Sequence, residues 1–157
     1  MKVTFVPAHQ PEISVQVQAE TQTNAVNSLM DYIDQYQTRS DKLTIHENGR
    51  LHILDVSAII SVEVFDTQLT ITTTEATYHV RGSLSKMLAQ LQSPSFRAIS
   101  QSAAINLHYL QSLSVTFSGT MTAELKNKTK LPVSRRYVAA LRQQITHLFV
   151  KTHPLNK

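Results

Sequence analysis

Residues 59–82, IISVEVFDTQLTITTTEATYHVRG, constrain the fold more than any other stretch of the chain. β-Branched side chains are stiff about χ1, which suits a pleated surface better than a helix, so this density of Val, Ile and Thr selects strands. The run breaks at Asp66-Thr67 and again at Glu75-Ala76, which predicts three consecutive short antiparallel strands. Just before it, KLTIHENGRLHILD turns at Asn48-Gly49, the strongest short hairpin signal there is.

Helical spacing occurs at three places. In TQTNAVNSLMDYIDQYQ, the residues Val26, Leu29, Met30 and Ile33 share one face, with Thr21 or Thr23 as the cap. In SLSKMLAQLQ, Ser83 caps a short helix whose Leu84, Met87, Leu88 and Leu91 face a core. From Val138 onward, Val138, Leu141, Ile145 and Leu148 form the apolar stripe of a closing helix with Ser134 as its N-cap, its hydroxyl taking an orphan amide. Ahead of the first helix, KVTFV and EISVQVQ alternate as strands do, with Ile13, Val15 and Val17 on one face and Pro7 and Pro11 in the connection. Residues 93–134 return to strands, with turns at Ser118-Gly119 and Asn127-Lys128. The fold class expected is therefore mainly β with small helices (α+β), preceded by a small N-terminal α/β unit.

Charge narrows the partner. The chain carries a net charge of +4, but residues 1–42 sum to −2 and residues 43–157 to +6. Within Lys126–Arg136 there are five positive side chains (Lys126, Lys128, Lys130, Arg135, Arg136) and no negative one. Arg135 and Arg136 occupy the first turn of a helix, where the macrodipole disfavours cations by roughly 0.3–1 kcal/mol each. A local basic cluster at that cost is the footprint of a polyanion. A merely solvated surface is the plainer alternative.

Enzymatic chemistry finds no support. The seven histidines are scattered, with no helical pair or strand pair beside a carboxylate as zinc requires. Three glycines stand alone at turns, so no loop cradles phosphate or a dinucleotide. Glu63 and Asp66 read as a strand residue and a turn residue rather than an acid–base pair. No cofactor, metal or small-molecule substrate is expected. Cysteine is absent, no apolar run nears the roughly 18 residues that span a bilayer, and MKVTFVPAHQPEISVQ lacks the apolar region of a signal peptide. These features predict a cytoplasmic protein.

A nucleic-acid reader uses Lys and Arg on phosphates, and Arg, Gln or Asn on base edges. The polar turn ISQSAAIN offers Ser100, Gln101 and Ser102, while Asn106 reads either as a structural turn residue or as a contact. The pieces Ile60-Ser61-Val62-Glu63, Ser83-Leu84, Phe96-Arg97, Ser102 to Asn106, and Leu131-Pro132-Val133-Ser134-Arg135 occur in one order and spacing. In that order the chain resembles the LytTR family of bacterial DNA-binding domains over roughly Leu43–Val150.

The resemblance implies an elongated three-sheet antiparallel fold whose loops enter successive major grooves at promoter direct repeats. It carries base reading to Gln101 and to Arg135 or Arg136, with the loop Asp66-Thr67-Gln68 as a third candidate. Ser102, Lys126, Lys128 and Lys130 would then hold phosphates, beside Ser100. The chain departs from the family pattern at Ser100-Gln101, where His, Arg or Lys is more usual, and at Ala103-Ala104, where bulkier residues stand; this bears on the target sequence. The residues before the domain are too few for a receiver domain, so the chain resembles the short family members. The expected division is an N-terminal α/β extension (1–42) for dimerisation or regulation, a DNA-binding domain (43–150) and a tail (151–157). Expected partners are double-stranded promoter DNA, a second copy, and a regulatory membrane protein. The rival expectation is a β-rich protein-interaction module that acts through its N-terminal unit without specific DNA binding.

Overall fold

A computed structural model describes Thr4 and residues 15–38 and 41–150. The chain divides into two compact units, Met1–Arg39 and Ser40–Lys157.

In the first unit the regular element among the described residues is helix α1, Asn24–Thr38. Thr23 starts it: its Oγ1 accepts from Val26 N at 3.4 Å and its carbonyl from Asn27 N at 3.0 Å, which selects Thr23 over Thr21 as the cap. Val26, Leu29 and Ile33 are only half-buried and Met30 is exposed. Residues 15–23 form no strand, which corrects the expectation for Val15 and Val17. Alternation marks a strand only where a neighbour supplies ladder bonds and a core faces one side, and Val15 is exposed. Ile13, the strand expected over residues 2–6, and Pro7 and Pro11 lie outside the described residues.

Among the described residues the second unit holds ten strands, β1 Lys42–Glu47, β2 Arg50–Asp55, β3 Ile59–Phe65, β4 Gln68–Thr73, β5 Thr77–Arg81, β6 Phe96–Ala98, β7 Ala103–Asn106, β8 Leu110–Val115, β9 Met121–Leu125 and β10 Lys130–Val133, with helices α2 Leu84–Leu91 and α3 Arg135–Ile145. They form three antiparallel sheets: β1-β2, β5-β4-β3-β7-β6 and β10-β9-β8. The β1–β2 turn has positive φ at Asn48 (51°) and at Gly49 (74°), as the mirror-image turn matching strand twist requires. Pro132 sits in β10, an edge strand, where its missing amide costs no ladder bond on the outer side.

The middle strands of the five-stranded sheet are buried on both faces. One face meets α2 and the β1–β2 hairpin, in a cluster that includes Leu43, Ile45, Val62, Leu69, Ile71, Met87 and Phe96. The other meets the β8–β10 sheet and α3, in a cluster with Ile60, Ile99, Ile105, Leu107, Leu125 and Leu141. This explains why every residue of β7, Ala103–Asn106, is buried: with a core on each side, small side chains let the layers approach. Asn106 is 2% exposed, with Nδ2 donating to the Ile59 carbonyl at 2.9 Å and Oδ1 accepting from His108 N at 3.1 Å. Of its two readings the structural one holds, because both ends of the amide are consumed inside the domain.

α2 is capped by Ser83, whose hydroxyl accepts from Lys86 N at 3.4 Å. Beneath its start, Gly82 N donates to the Thr67 carbonyl at 3.0 Å, and a Cβ on Gly82 would meet Leu69 Cδ1 at 2.8 Å. A larger residue there would have to displace the buried Leu69 methyl. At the sheet's outer end Lys42 pairs with Asp55, and this hydrogen bond raises the lysine's pKa.

Candidate nucleic-acid interface

Three segments expected to carry recognition are tied together by backbone bonds. The β6–β7 turn closes with Ile99 N donating to the Ala103 carbonyl at 2.9 Å, which leaves Ser100, Gln101 and Ser102 at its tip. Ser102 N donates to Ser100 Oγ at 3.1 Å, and the two hydroxyls stand 3.3 Å apart. These serines therefore spend polar groups on shaping the turn. Gln101 is exposed, and its side chain makes no hydrogen bond among the described residues. On one side the turn is fixed to β3, where Val64 N donates to the Ser102 carbonyl at 2.8 Å. On the other it is fixed to the start of α3, where Ser134 N donates to the Ile99 carbonyl at 2.8 Å.

Ser134 takes the expected N-cap position of α3, with its carbonyl accepting from Tyr137 N at 2.9 Å, but not the expected hydroxyl bond. Ser134 has φ −64° and ψ 141° and its hydroxyl makes no cap bond. The extended backbone is the usual N-cap conformation, and the residue's own amide is used by the Ile99 carbonyl. The first amides of α3 are left without a side-chain acceptor from Ser134. Arg135 and Arg136 are exposed and make no hydrogen bond or ion pair within the protein among the described residues. Arg97 reaches the other end of α3, with Nη2 donating to Gln144 Oε1 at 2.9 Å and Nη1 to the Phe96 carbonyl at 3.1 Å. It links β6 to α3 as scaffold.

The β3–β4 turn completes the row. Asp66 takes φ 56°, a left-handed conformation that Asp tolerates better than most residues. The turn residues 66 and 67 and the exposed Gln68 project beside Phe65, and one surface hollow is lined jointly by Phe65, Thr70, Ser100, Ser102 and Pro132.

The lysines fall elsewhere. Met121 pairs with Val133 at the foot of the β9–β10 hairpin, beside α3, whereas Lys126 and Lys128 occupy its turn at the far end. Three residues of strand between Lys130 and Val133 span roughly 10 Å. Lys126 N donates to the Tyr109 carbonyl at 2.8 Å and Lys128 Nζ to Gln111 Oε1 at 3.3 Å. Lys130 stands opposite Glu124. The five cations that are contiguous in sequence thus form two separate groups.

The β8–β9 turn stands at Ser118-Gly119 as expected from the sequence, which assigned it no part in recognition. Val115, Gly119, Thr120, Val133, Ser134 and Arg135 line one groove, so this turn flanks the start of α3. Phe117 stands at its tip, fully exposed. The available signal was an aromatic residue inside an otherwise small and polar turn, VTFSGT.

No group of three or more His, Cys, Asp or Glu able to hold a metal occurs among the described residues. Among them, no helix is long and apolar enough to cross a membrane.

Fold and site together define a class: a sheet-built domain whose turns carry the polar and cationic groups that nucleic-acid readers use. Residues 49–146 match the model of the LytTr DNA-binding domain, and the chain belongs to that LytTR family. It is 29% identical over 116 residues to the sensory transduction protein LytR of Staphylococcus epidermidis, covering 74% of this chain and 46% of that protein. It is 28% identical over 104 residues to LytR of Streptococcus agalactiae, covering 66% of this chain and 42% of that one. The chain thus spans about half the length of these curated relatives. An uncharacterized HTH-type transcriptional regulator of Staphylococcus aureus is similar along nearly its whole length, 23% identical over 142 residues with 90% and 95% covered. Among solved structures, the LytTr DNA-binding domain of a putative methyl-accepting/DNA response regulator from Bacillus cereus superposes with a TM-score of 0.61 at 19% identity, over 68% of this chain and 97% of that one. That superposition supports the three-sheet fold.

Proposed function

We propose that this protein is a sequence-specific transcriptional regulator that binds promoter DNA as a pair of copies on direct repeats. Its turns enter successive major grooves. The observation that carries this reading is the bond from Ser134 N to the Ile99 carbonyl. It joins the Gln101 turn to the two arginines of α3, and none of these three side chains has an internal partner among the described residues. Gln101 and one of the arginines read bases; the other arginine, with the uncapped helix amides, takes a phosphate. Ser102 and Ser100 hold the turn, Asp66 and Gln68 approach the neighbouring groove, and Lys126, Lys128 and Lys130 add phosphate contacts at the far end of their hairpin. The test is a footprint on the DNA upstream of its own gene at two salt concentrations. A protected direct repeat whose affinity falls steeply with salt supports the reading, and uniform salt-sensitive binding to any fragment removes the sequence specificity.

Residues 1–42 carry the second part of the proposal, a surface for a second copy or for a regulatory membrane protein. α1 has an apolar stripe and no buried residue among its described side chains. A helix of this length is marginal alone in water. The same stripe favours the rival reading, a protein-interaction module that does not need DNA. Sedimentation of the full chain with and without operator DNA separates the two.

A further inference from the structure

The row of turns ends in two exposed phenylalanines. Phe65, 88% exposed, precedes the β3–β4 turn, and Phe117, 114% exposed, tops the β8–β9 turn beside Arg135. Between them lie the Gln101 turn and the start of α3, joined by the bonds at Ser102 and Ser134.

Nothing in the fold requires Phe117 to stand where it does. Its turn is built from polar groups: Thr116 N donates to the Thr120 carbonyl at 2.8 Å and Gly119 N to the Thr116 carbonyl at 2.9 Å. The Thr116 hydroxyl lies 2.9 Å from that of Ser118 and donates to the Thr120 carbonyl at 3.0 Å. Gly119 supplies the left-handed corner with φ 81°. A turn closed this way holds its shape whatever side chain occupies position 117. An exposed aromatic side chain that can bury roughly 150–250 Å² is therefore kept clear of the core.

The surroundings select the occupant. The groove below the turn is walled by Ser134 and Arg135, and residues 111–123 contain no acidic side chain. A polyanion can approach without repulsion, and aromatic side chains meet thymine methyl groups or wedge against base steps when a protein lies on DNA.

We infer that Phe117, and Phe65 at the opposite end of the row, are apolar DNA contacts that pack on the sugar and base surface flanking the grooves read by Gln101 and Arg135 or Arg136. This rests on the DNA-binding reading above. The phenylalanines act by burial rather than charge, so they add affinity that salt does not screen.

The chain contains no tryptophan, so Phe117→Trp places a single indole at the site. The expected result is a change in indole emission on adding the footprinted promoter fragment to the full chain. Phe117→Ala is expected to bind that fragment about 10–50-fold more weakly, with an unchanged slope of log K against log salt. Phe65→Ala is expected to act in the same direction. Normal promoter binding with a silent indole and an unaffected Phe117→Ala would overturn this inference and leave the regulator reading standing. Emission that tracks protein concentration and ignores DNA would overturn it in favour of contact with a second copy. Failure of the unmodified chain to bind any promoter fragment would overturn both readings together.

Discussion

The two ends of the β9–β10 hairpin carry similar charges and have different surroundings. At the foot, Ser134 is bonded to Ile99, and Arg135 and Arg136 stand beside the Gln101 turn and the Phe117 turn. At the tip, Lys126 and Lys128 are held by Tyr109 and Gln111, far from those turns. In the sequence all five cations form one cluster. A hairpin separates them because its strand carries the chain about 3.3 Å per residue away from its turn. Only the foot gathers side chains of different chemistry: an amide, two guanidinium groups and an aromatic ring. The tip offers ammonium groups around Asn127, whose Oδ1 is taken by Thr129 N at 3.1 Å, with no guanidinium or aromatic ring in the turn itself.

Four substitutions bear on this difference. The largest effect is expected from Arg135→Ala combined with Arg136→Ala, a loss of about 2–5 kcal/mol in operator binding with sequence preference relaxed; titration of operator and scrambled fragments measures it. An equal loss on both fragments would make the foot no better a reader than the tip. Next is Asn106→Ala, which leaves the Ile59 carbonyl and the His108 amide unpaired and should cost about 2–3 kcal/mol in urea unfolding. The folded fraction should keep its operator preference, which separates the scaffold under the foot from recognition by it. Gln101→Ala should cost about 1–2 kcal/mol, confined to one base position when single-base variants of the operator are compared. Lys128→Ala is smallest, a few tenths of a kcal/mol at ordinary salt, the same for every sequence, with the salt slope reduced by about one. A base-specific loss at Lys128 would erase the distinction between the two ends.

Where the signal was local, the sequence carried the structure. Asn48-Gly49 demanded positive φ at both positions, and the turn has it. The breaks at residues 66 and 75 delimit β3, β4 and β5, which pair in that order. Ser83 and the Leu84, Met87, Leu91 stripe define α2 as built. What depended on distant neighbours was not legible. The pairing of β3 with β7 joins residues some forty positions apart, Ser61 with Ile105 and Glu63 with Ala103, and no short-range pattern encodes it. Ser134 takes the cap position its composition suggests, but its hydroxyl makes no cap bond while its amide bonds Ile99 in another turn. Likewise the lysines could be assigned to the arginines only by ignoring strand length. Phe117 was invisible because a lone aromatic residue in a strand-rich stretch reads as core.

β3 is shared by two of the turns. On one flank it continues into the Asp66 turn, and on the other it holds the Gln101 turn through Val64 and Ser102. Val62 and Val64 pack in the core with α2 while Ile60, at a register irregularity, packs in the other, so shifting the strand by a single residue would turn Val62 and Val64 away from their layer. The spacing between those two tips is therefore locked to the hydrophobic interior, while the exposed Gln101 and Asp66 side chains make no hydrogen bond among the described residues. Side chains at the two tips can therefore change at little risk to folding, whereas the distance between the tips is inherited with the core.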